Sequence, residues 1–454
     1  MNFKSINPYN LEKLAEFRPL TELEITSRLA QSRIAFSDWK NSGLEDRLQL
    51  LGKLADVIDK KADWLAFQMS EEMGKTLSES KAEVMKCAMG ARFFQKNASD
   101  YLAPKTILSD SRISKVLFQP IGGVLLVMPW NFPLWQVLRA AIPALCVGNT
   151  IILKHAPNVM RYAHQIEALF AEAGFPNGVF TNLVVDVNEL ERVVSNEAVA
   201  AVSLTGSEFA GRSMARIAGK YLKKCVLELG GSDPFIVLPD ADLKNAGNLA
   251  AQARLINNGQ SCIAAKRFIV HETVADDFLD QFVAELEKFQ PGDPTLPETK
   301  LGPMARKDLA DALERQKQQS IQMGGTLFYE MNAQPTNGFF SLPAIITGAR
   351  PGMVCFDEET FGPLSSVSTF SSIQEAIDLA NHTRFGLGAT IHTQDEEQAQ
   401  KLAEKLDCGT VAINAMVRSK PMLPFGGIKS SGYGKELSEF GMYEFANAKA
   451  IVVG

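Results

Sequence analysis

From residue 113 onward the chain alternates short, uninterrupted apolar runs with longer amphipathic stretches, and few folds accept that pattern. Gly122-Gly123-Val124-Leu125-Leu126-Val127-Met128 is stopped by Pro129, as a buried strand would be. Further buried strands are predicted over 150–153, 181–185, 199–204, 225–229 and 235–238, with helices over 135–145 and 161–173 between the earlier ones. Strands alternating with helices predict an α/β fold with a parallel sheet and crossover helices, in which ligands sit at the carboxyl ends of the strands. Before this region, helices are predicted over 21–40, 44–69 and 76–98, and their apolar stripe reads as core alone. After it the α/β texture repeats, with a strand over 339–347, a polar helix over 307–324 and a last strand over 410–414. At 454 residues the chain is too long for one core, so two or three domains are expected.

Several function classes are excluded early. The net charge is -6 and no Lys/Arg run stands out, which argues against nucleic acid as a partner. The uncharged stretch 116–138 is interrupted by Pro120, Pro129, Asn131 and Pro133, so a membrane span is not expected. Five scattered histidines give no metal-ligand spacing. Six cysteines without a CxxC pair, and a start lacking a basic then apolar region, point to reduced thiols and a cytoplasmic setting.

The chemistry is expected at Asn257-Asn258-Gly259-Gln260-Ser261-Cys262, a run of small and amide residues that brings the backbone close to a ligand. A thiol there is a nucleophile once deprotonated, although an inert buried cysteine is the commoner fate. Leu204-Thr205-Gly206-Ser207 ends a strand, and Ser207 is placed to cap the next helix, an anion-friendly arrangement. Glu228 stands inside an apolar strand, which asks for a partner or a function. Glu359-Thr360-Phe361-Gly362-Pro363 and Pro424-Phe425-Gly426-Gly427 read as loops. There is neither a GxGxxG fingerprint nor Walker spacing.

Taken in order, these motifs resemble the NAD(P)-dependent aldehyde dehydrogenase superfamily. Pro129-Trp130-Asn131-Phe132-Pro133 resembles its oxyanion-hole segment, and the Thr205-Gly206-Ser207, Glu228-Leu229-Gly230-Gly231, Gly259-Gln260-Ser261-Cys262, Glu359-Thr360-Phe361 and Pro424-Phe425-Gly426-Gly427 segments resemble its other signatures. The likeness runs from about Asn7 to the end, and is closest to the shorter bacterial succinate-semialdehyde dehydrogenases. It implies an atypical Rossmann cofactor domain over 1–101 and 121–232, and an α/β catalytic domain over 233–430. A small β oligomerisation element over 102–120 and 431–454 is implied to build a homodimer or homotetramer.

The resemblance also implies roles. A Cys262 thiolate adds to an aldehyde to form a thiohemiacetal, Asn131 and the Cys262 N–H hold the oxyanion, hydride passes to nicotinamide, and Glu228 activates the water that hydrolyses the thioester. Pro129, Trp130, Lys154, Gly206, Ser207, Gly230, Glu359 and Phe361 match cofactor-binding positions. Members strict for NAD often carry a glutamate three residues after the lysine, where Pro157 stands here, so NADP is expected to be tolerated beside NAD. Arg139 matches an arginine that grips the substrate carboxylate in succinate-semialdehyde dehydrogenases, and Trp135 is expected to line the same pocket. The alternative for Arg139 is a salt bridge to a protein carboxylate, which would leave a broad aliphatic or aromatic specificity. A second carboxylate contact is sought among Arg254, Arg418, Ser419 and Lys420, because the position six before the cysteine is Ile256.

Overall fold

The computed structural model describes residues 2–335 and 337–454. Two sheets organise it. The first runs in the order Gly432–Tyr433, Lys224–Glu228, Val199–Thr205, Gly123–Met128, Thr150–His155, Phe180–Asn182, and is parallel except at its antiparallel first pair. The second runs Thr326–Glu330, Ala344–Thr347, Leu364–Phe370, Ala265–His271, Asp233–Val237, Gly388–His392, Thr410–Ile413, again parallel except at its first pair. Both central strands read as continuous apolar runs because helices cover both faces of a parallel sheet. Val124, Leu125 and Leu126 are fully buried, as are Phe235, Ile236 and Val237.

The chain crosses from one sheet to the other between Glu228, the last residue of its strand, and Asp233, the first residue of the next. That crossing places the carboxyl ends of the first sheet against the start of the second. A separate antiparallel sheet joins Ala446–Val453, Ile113–Pro120 and Lys105–Thr106, leaving the last eight-residue strand at an edge.

Some boundaries differ from the sequence reading. The helix expected over 44–69 is two, Leu44–Lys60 and Ala62–Met73, broken at Lys61 (φ -103°, ψ 10°). The strand expected over 339–347 is confined to Ala344–Thr347, because Pro343 has no N–H to give to a ladder. The helix Trp135–Val147 runs on through Pro143. A short hairpin, Phe3–Ile6 with Lys13–Phe17, and the exposed edge strand Thr326–Glu330 lie outside the elements predicted from sequence.

Candidate active site

The loop before Cys262 is built on three left-handed residues. Asn257, Asn258 and Gly259 have φ of 53°, 55° and 78°. Asparagine tolerates this region better than most residues, at ~1–3 kcal/mol of strain each. At Gly259 a Cβ would sit 2.5 Å from the carbonyl carbon of Gly362, so only glycine fits. The strain is held by hydrogen bonds. Asn257 Nδ2 donates to the carbonyls of Asn131 (2.7 Å) and Gln260 (3.1 Å), and Asn258 Nδ2 donates to those of Gly74 (3.0 Å) and Pro303 (3.1 Å). Beyond the cysteine, Lys266 Nζ donates to the carbonyls of Ser261 (3.0 Å), Cys262 (2.9 Å) and Ala264 (3.2 Å).

Asn131 is tied to the same loop, its Nδ2 donating to Gln260 O at 3.1 Å. An amide carries two hydrogens, so one remains for a ligand. The Cys262 N–H makes no hydrogen bond among the described residues. One hydrogen of the Asn131 amide and the Cys262 N–H are therefore left for a ligand, and a pair of donors is what an oxyanion needs.

The first hundred residues, which the sequence reading gave to packing alone, position both halves of this site. On helix Leu77–Tyr101, Glu83 Oε1 accepts from the N–H groups of Leu134 (3.0 Å) and Trp135 (2.9 Å). It thereby caps the helix Trp135–Val147, whose own N-cap residue supplies no side-chain bond. One turn earlier, Glu79 Oε1 accepts from Asn257 N at 2.7 Å. Lys75 is fully buried, pairs with Glu83 and lies 3.8 Å from the Phe132 ring centroid. The sequence signal that would have found Glu83 is a charge on the buried stripe of Ser80, Val84 and Cys87.

Burial pushes the Cys262 thiol up to about 12, and the charges of Arg139 and Lys266 pull against it. The resting group is a thiol. Alkylation of Cys262 by iodoacetamide is expected to accelerate about tenfold per pH unit between pH 7 and 9, following the thiolate fraction. A plateau below pH 8 would show a thiolate already formed and contradict this.

Glu228 is also buried, and its Oε1 has no hydrogen-bond partner among the described residues. Burial, then the neighbouring Glu436, raise its carboxyl well above the ordinary range, while Arg139 and then Lys435 oppose them. Gly426 (φ 148°) brings the 424–427 loop onto this carboxylate, where a Cβ would lie 2.5 Å from Glu228 Oε1.

Arg139 forms the protein salt bridge that the sequence analysis named as the alternative. Its side chain is 2% exposed and ion-paired with Glu436, itself 1% exposed and bound by the Ser203 hydroxyl at 3.2 Å. The guanidinium lies 4.6 Å from the Phe425 ring centroid and 3.5 Å from Thr205 Oγ1. The pair uses Nε, and the two terminal nitrogens of the guanidinium form no ion pair among the described residues. Arg254 is withdrawn, with hydrogen bonds to the carbonyls of Gly259 (2.8 Å), Leu364 (3.3 Å) and Thr360 (3.4 Å). Arg418 and Lys420 are exposed. Trp135 and Ser419 do meet, the indole N–H donating to Ser419 Oγ at 2.9 Å, and Lys86, missed from sequence, joins them at 2.8 Å.

At the other end, Lys154, next to last in its strand, is buried and forms no side-chain ion pair or hydrogen bond among the described residues. Ser207 caps the helix Glu208–Lys220 through Ala210 N (3.3 Å), and the Gly206 N–H donates to Glu228 O (3.0 Å). Pro129 follows the strand Gly123–Met128, and Trp130 meets Phe361 edge-on at 5.9 Å. Gly230 lies against the Glu359 carboxylate, which accepts from the Gly231 N–H (3.0 Å) and sits 3.5 Å from Lys266. An unpaired lysine and a capped helix start at the carboxyl edge of a parallel sheet fit an anionic dinucleotide.

A family model described as "Aldehyde dehydrogenase family" matches residues 1–451. The chain belongs to the aldehyde dehydrogenase family. It is an NAD(P)-dependent oxidoreductase of the aldehyde dehydrogenase fold. Similar relatives include the succinate-semialdehyde dehydrogenase [NADP(+)] of Mycobacterium avium (strain 104), 43% identical over 100% of this chain and 97% of the relative. Another is succinate-semialdehyde dehydrogenase [NADP(+)] 1 of Mycobacterium tuberculosis (strain ATCC 25618 / H37Rv), 42% identical over 99% of both chains. Among solved structures, Gox0499 superposes with a TM-score of 0.98 at 37% identity over the full length of both chains. The succinic semialdehyde dehydrogenase from Streptococcus pyogenes, in complex with NADP+, gives 0.97 at 37% identity over 99% of both. No helix of this aldehyde dehydrogenase among the described residues is long and apolar enough to cross a membrane.

Proposed function

We propose that this aldehyde dehydrogenase oxidises an ω-carboxylated aldehyde, succinate semialdehyde foremost, to the free acid, and accepts NADP. The reading is supported by the Asn131 amide bound to the loop that leads to Cys262, by Glu228 buried without a partner for its Oε1 where the chain crosses between the sheets, and by a chain similar from end to end to proteins named for that reaction.

In this reading the Cys262 sulfur bonds to the aldehyde carbon as its proton leaves. The oxygen that becomes negative meets the spare Asn131 amide hydrogen and the Cys262 N–H. When bound, the oxidised nicotinamide supplies the hydride acceptor. Lys154, Ser207, Gly206, Gly230, Pro129 and Trp130 would hold the dinucleotide, with Glu359 and Phe361 at its nicotinamide end. Glu228, once ionised, takes a proton from the water that attacks the thioester, and the acid departs as Cys262 recovers its thiol. Both Glu228 and Cys262 hold protons in the free site, so the rate is expected to climb on the alkaline side.

Tolerance of NADP rests on Pro157, which starts a turn where a carboxylate would repel a 2′-phosphate, and on the unpaired charge of Lys154. Burial lowers the Lys154 ammonium, and an added phosphate would restore it. We also assign a homo-oligomer contact to the free edge of Ala446–Val453, and a cytoplasmic setting consistent with six free cysteines.

The test is kcat/KM for succinate semialdehyde against butanal, with NADP and with NAD. A preference for the semialdehyde of tenfold or more, ~1.4 kcal/mol of transition-state binding, is expected, together with turnover on NADP. Equal rates on the two aldehydes would replace the reading with broad specificity, and background turnover on NADP would reverse the cofactor assignment.

A further inference from the structure

We propose that Lys266 is a positioning residue for the nucleophile: its ammonium bridges the turn that carries Cys262 and the carboxylate of Glu359, and so sets how readily the thiol ionises. The inference rests on the reading of Cys262 as the nucleophile and adds a residue outside the catalytic set named above.

Lys266 and Arg267 are neighbours on the strand Ala265–His271, and successive side chains of a strand leave by opposite faces. Arg267 goes one way, onto the carbonyls of Ser232 (2.9 Å), Leu379 (2.8 Å) and Ala380 (2.9 Å). Lys266 goes the other way, back to the residues that lead into its own strand. It is fully buried, and its Nζ donates to the carbonyls of Ser261 (3.0 Å), Cys262 (2.9 Å) and Ala264 (3.2 Å). An ammonium has three hydrogens, and three carbonyls take them. The main-chain bond across this turn, from Ala264 N–H to Ser261 O, lies at the long end of the range at 3.2 Å. The lysine therefore gathers the carbonyls on either side of the cysteine, and of the cysteine itself, onto one charge.

The same ammonium lies 3.5 Å from Glu359 Oε1. That oxygen also accepts the Gly231 N–H at 3.0 Å. Gly231 in turn packs so closely on the nucleophile turn that a Cβ there would sit 2.7 Å from the Cys262 carbonyl oxygen. Cys262, Lys266, Glu359 and Gly231 thus form a closed circuit of contacts where the chain crosses between the two sheets. Carbonyl dipoles orient the ammonium without neutralising it, and solvent screens a buried charge little.

The electrostatics follow from that placement. Burial raises the Cys262 thiol, Arg139 and then Lys266 draw it down, and Glu359 and then Asp233 oppose them. The sulfur responds to the difference between Lys266 and Glu359, two opposite charges fixed to each other and to the backbone beside it. A lysine that only braced the turn would have the reverse signature, because its loss would loosen the turn and expose the sulfur.

The test is alkylation of Cys262 by iodoacetamide in the free enzyme between pH 7 and 9, read by peptide mass spectrometry. Lys266→Met keeps the stem and removes the charge, and its rate is expected to fall about tenfold at each pH, equivalent to about one pH unit along the profile. Lys266→Arg is expected to recover most of the wild-type rate. Glu359→Gln, which keeps an acceptor for the Gly231 N–H, is expected to move the rate the other way, to severalfold faster. An unchanged or faster rate in Lys266→Met would overturn the assignment. So would a wild-type rate in Glu359→Gln, a variant that leaves Lys266 in place and serves if Lys266→Met fails to fold. A wild-type Cys262 that resists alkylation throughout would instead overturn the reading of it as the nucleophile.

Discussion

Arg139→Met is expected to lose about 3–5 kcal/mol of stability in chemical denaturation at neutral pH, the usual consequence of removing one partner of a buried ion pair. The guanidinium stands between Glu436, with which it pairs, and Glu228, whose carboxyl it pulls down. Without it, Lys435 is left to oppose the rise of Glu228. The pH dependence has a definite sign. Glu228 already binds its proton more tightly folded than unfolded, and removing Arg139 tightens it further. Such a group contributes stability below its unfolded value of about 4.3 and withdraws it as pH rises. The deficit of the variant relative to wild type is therefore expected to widen as pH rises through the folded-state titration of wild-type Glu228, and to be constant below it. A loss below about 1 kcal/mol, unchanged with pH, would show that the pair is loosely held.

Glu228→Gln separates the two halves of the reaction. The variant is expected to give a rapid burst of about one reduced cofactor per active site, followed by turnover slowed by about 10²–10⁴-fold, the usual range for loss of a general base. The substitution is close to isosteric with the protonated carboxyl that the buried site already favours, so the fold is expected to persist. It also removes the alkaline loss of stability described above. The melting temperature of the variant is expected to match wild type near pH 5 and exceed it near pH 8. Quenched-flow measurement of the burst with a thermal melt at both pH values checks both halves. An unchanged steady-state rate would remove Glu228 from the reaction. Loss of the burst itself would place its action before the thioester.

The parallel sheets were legible because their strands are buried on both faces and leave an unbroken apolar record, as 123–128 does. The loop before Cys262 stood out in the sequence as a run of small and amide residues, and its Asn-Asn-Gly start accepts three left-handed residues in a row. What sequence could not supply was pairing across distance. Arg139 in an apolar helix calls for an anion, but whether that anion is a ligand or Glu436 depends on which segments the fold brings together. The same limit hid Glu79, Glu83 and Lys86, which look like ordinary helix charges until the backbone N–H groups and the hydroxyl that they meet are placed beside them. The exposed strand Thr326–Glu330 escaped for a different reason: its Leu327-Phe328-Tyr329 run is short and does not alternate with polar residues.

The helix Leu77–Tyr101 has one consequence beyond support. Glu79 reaches the nucleophile loop, Glu83 the oxyanion segment and Lys86 the Ser419 cluster, all from one continuous rod. At 1.5 Å of rise per residue the three side chains are spaced by about 4.5–6 Å along its axis. One rigid rod thus holds three segments that are far apart in the chain, and a tilt of it would carry the Asn257 loop, the start of the helix Trp135–Val147 and Ser419 together.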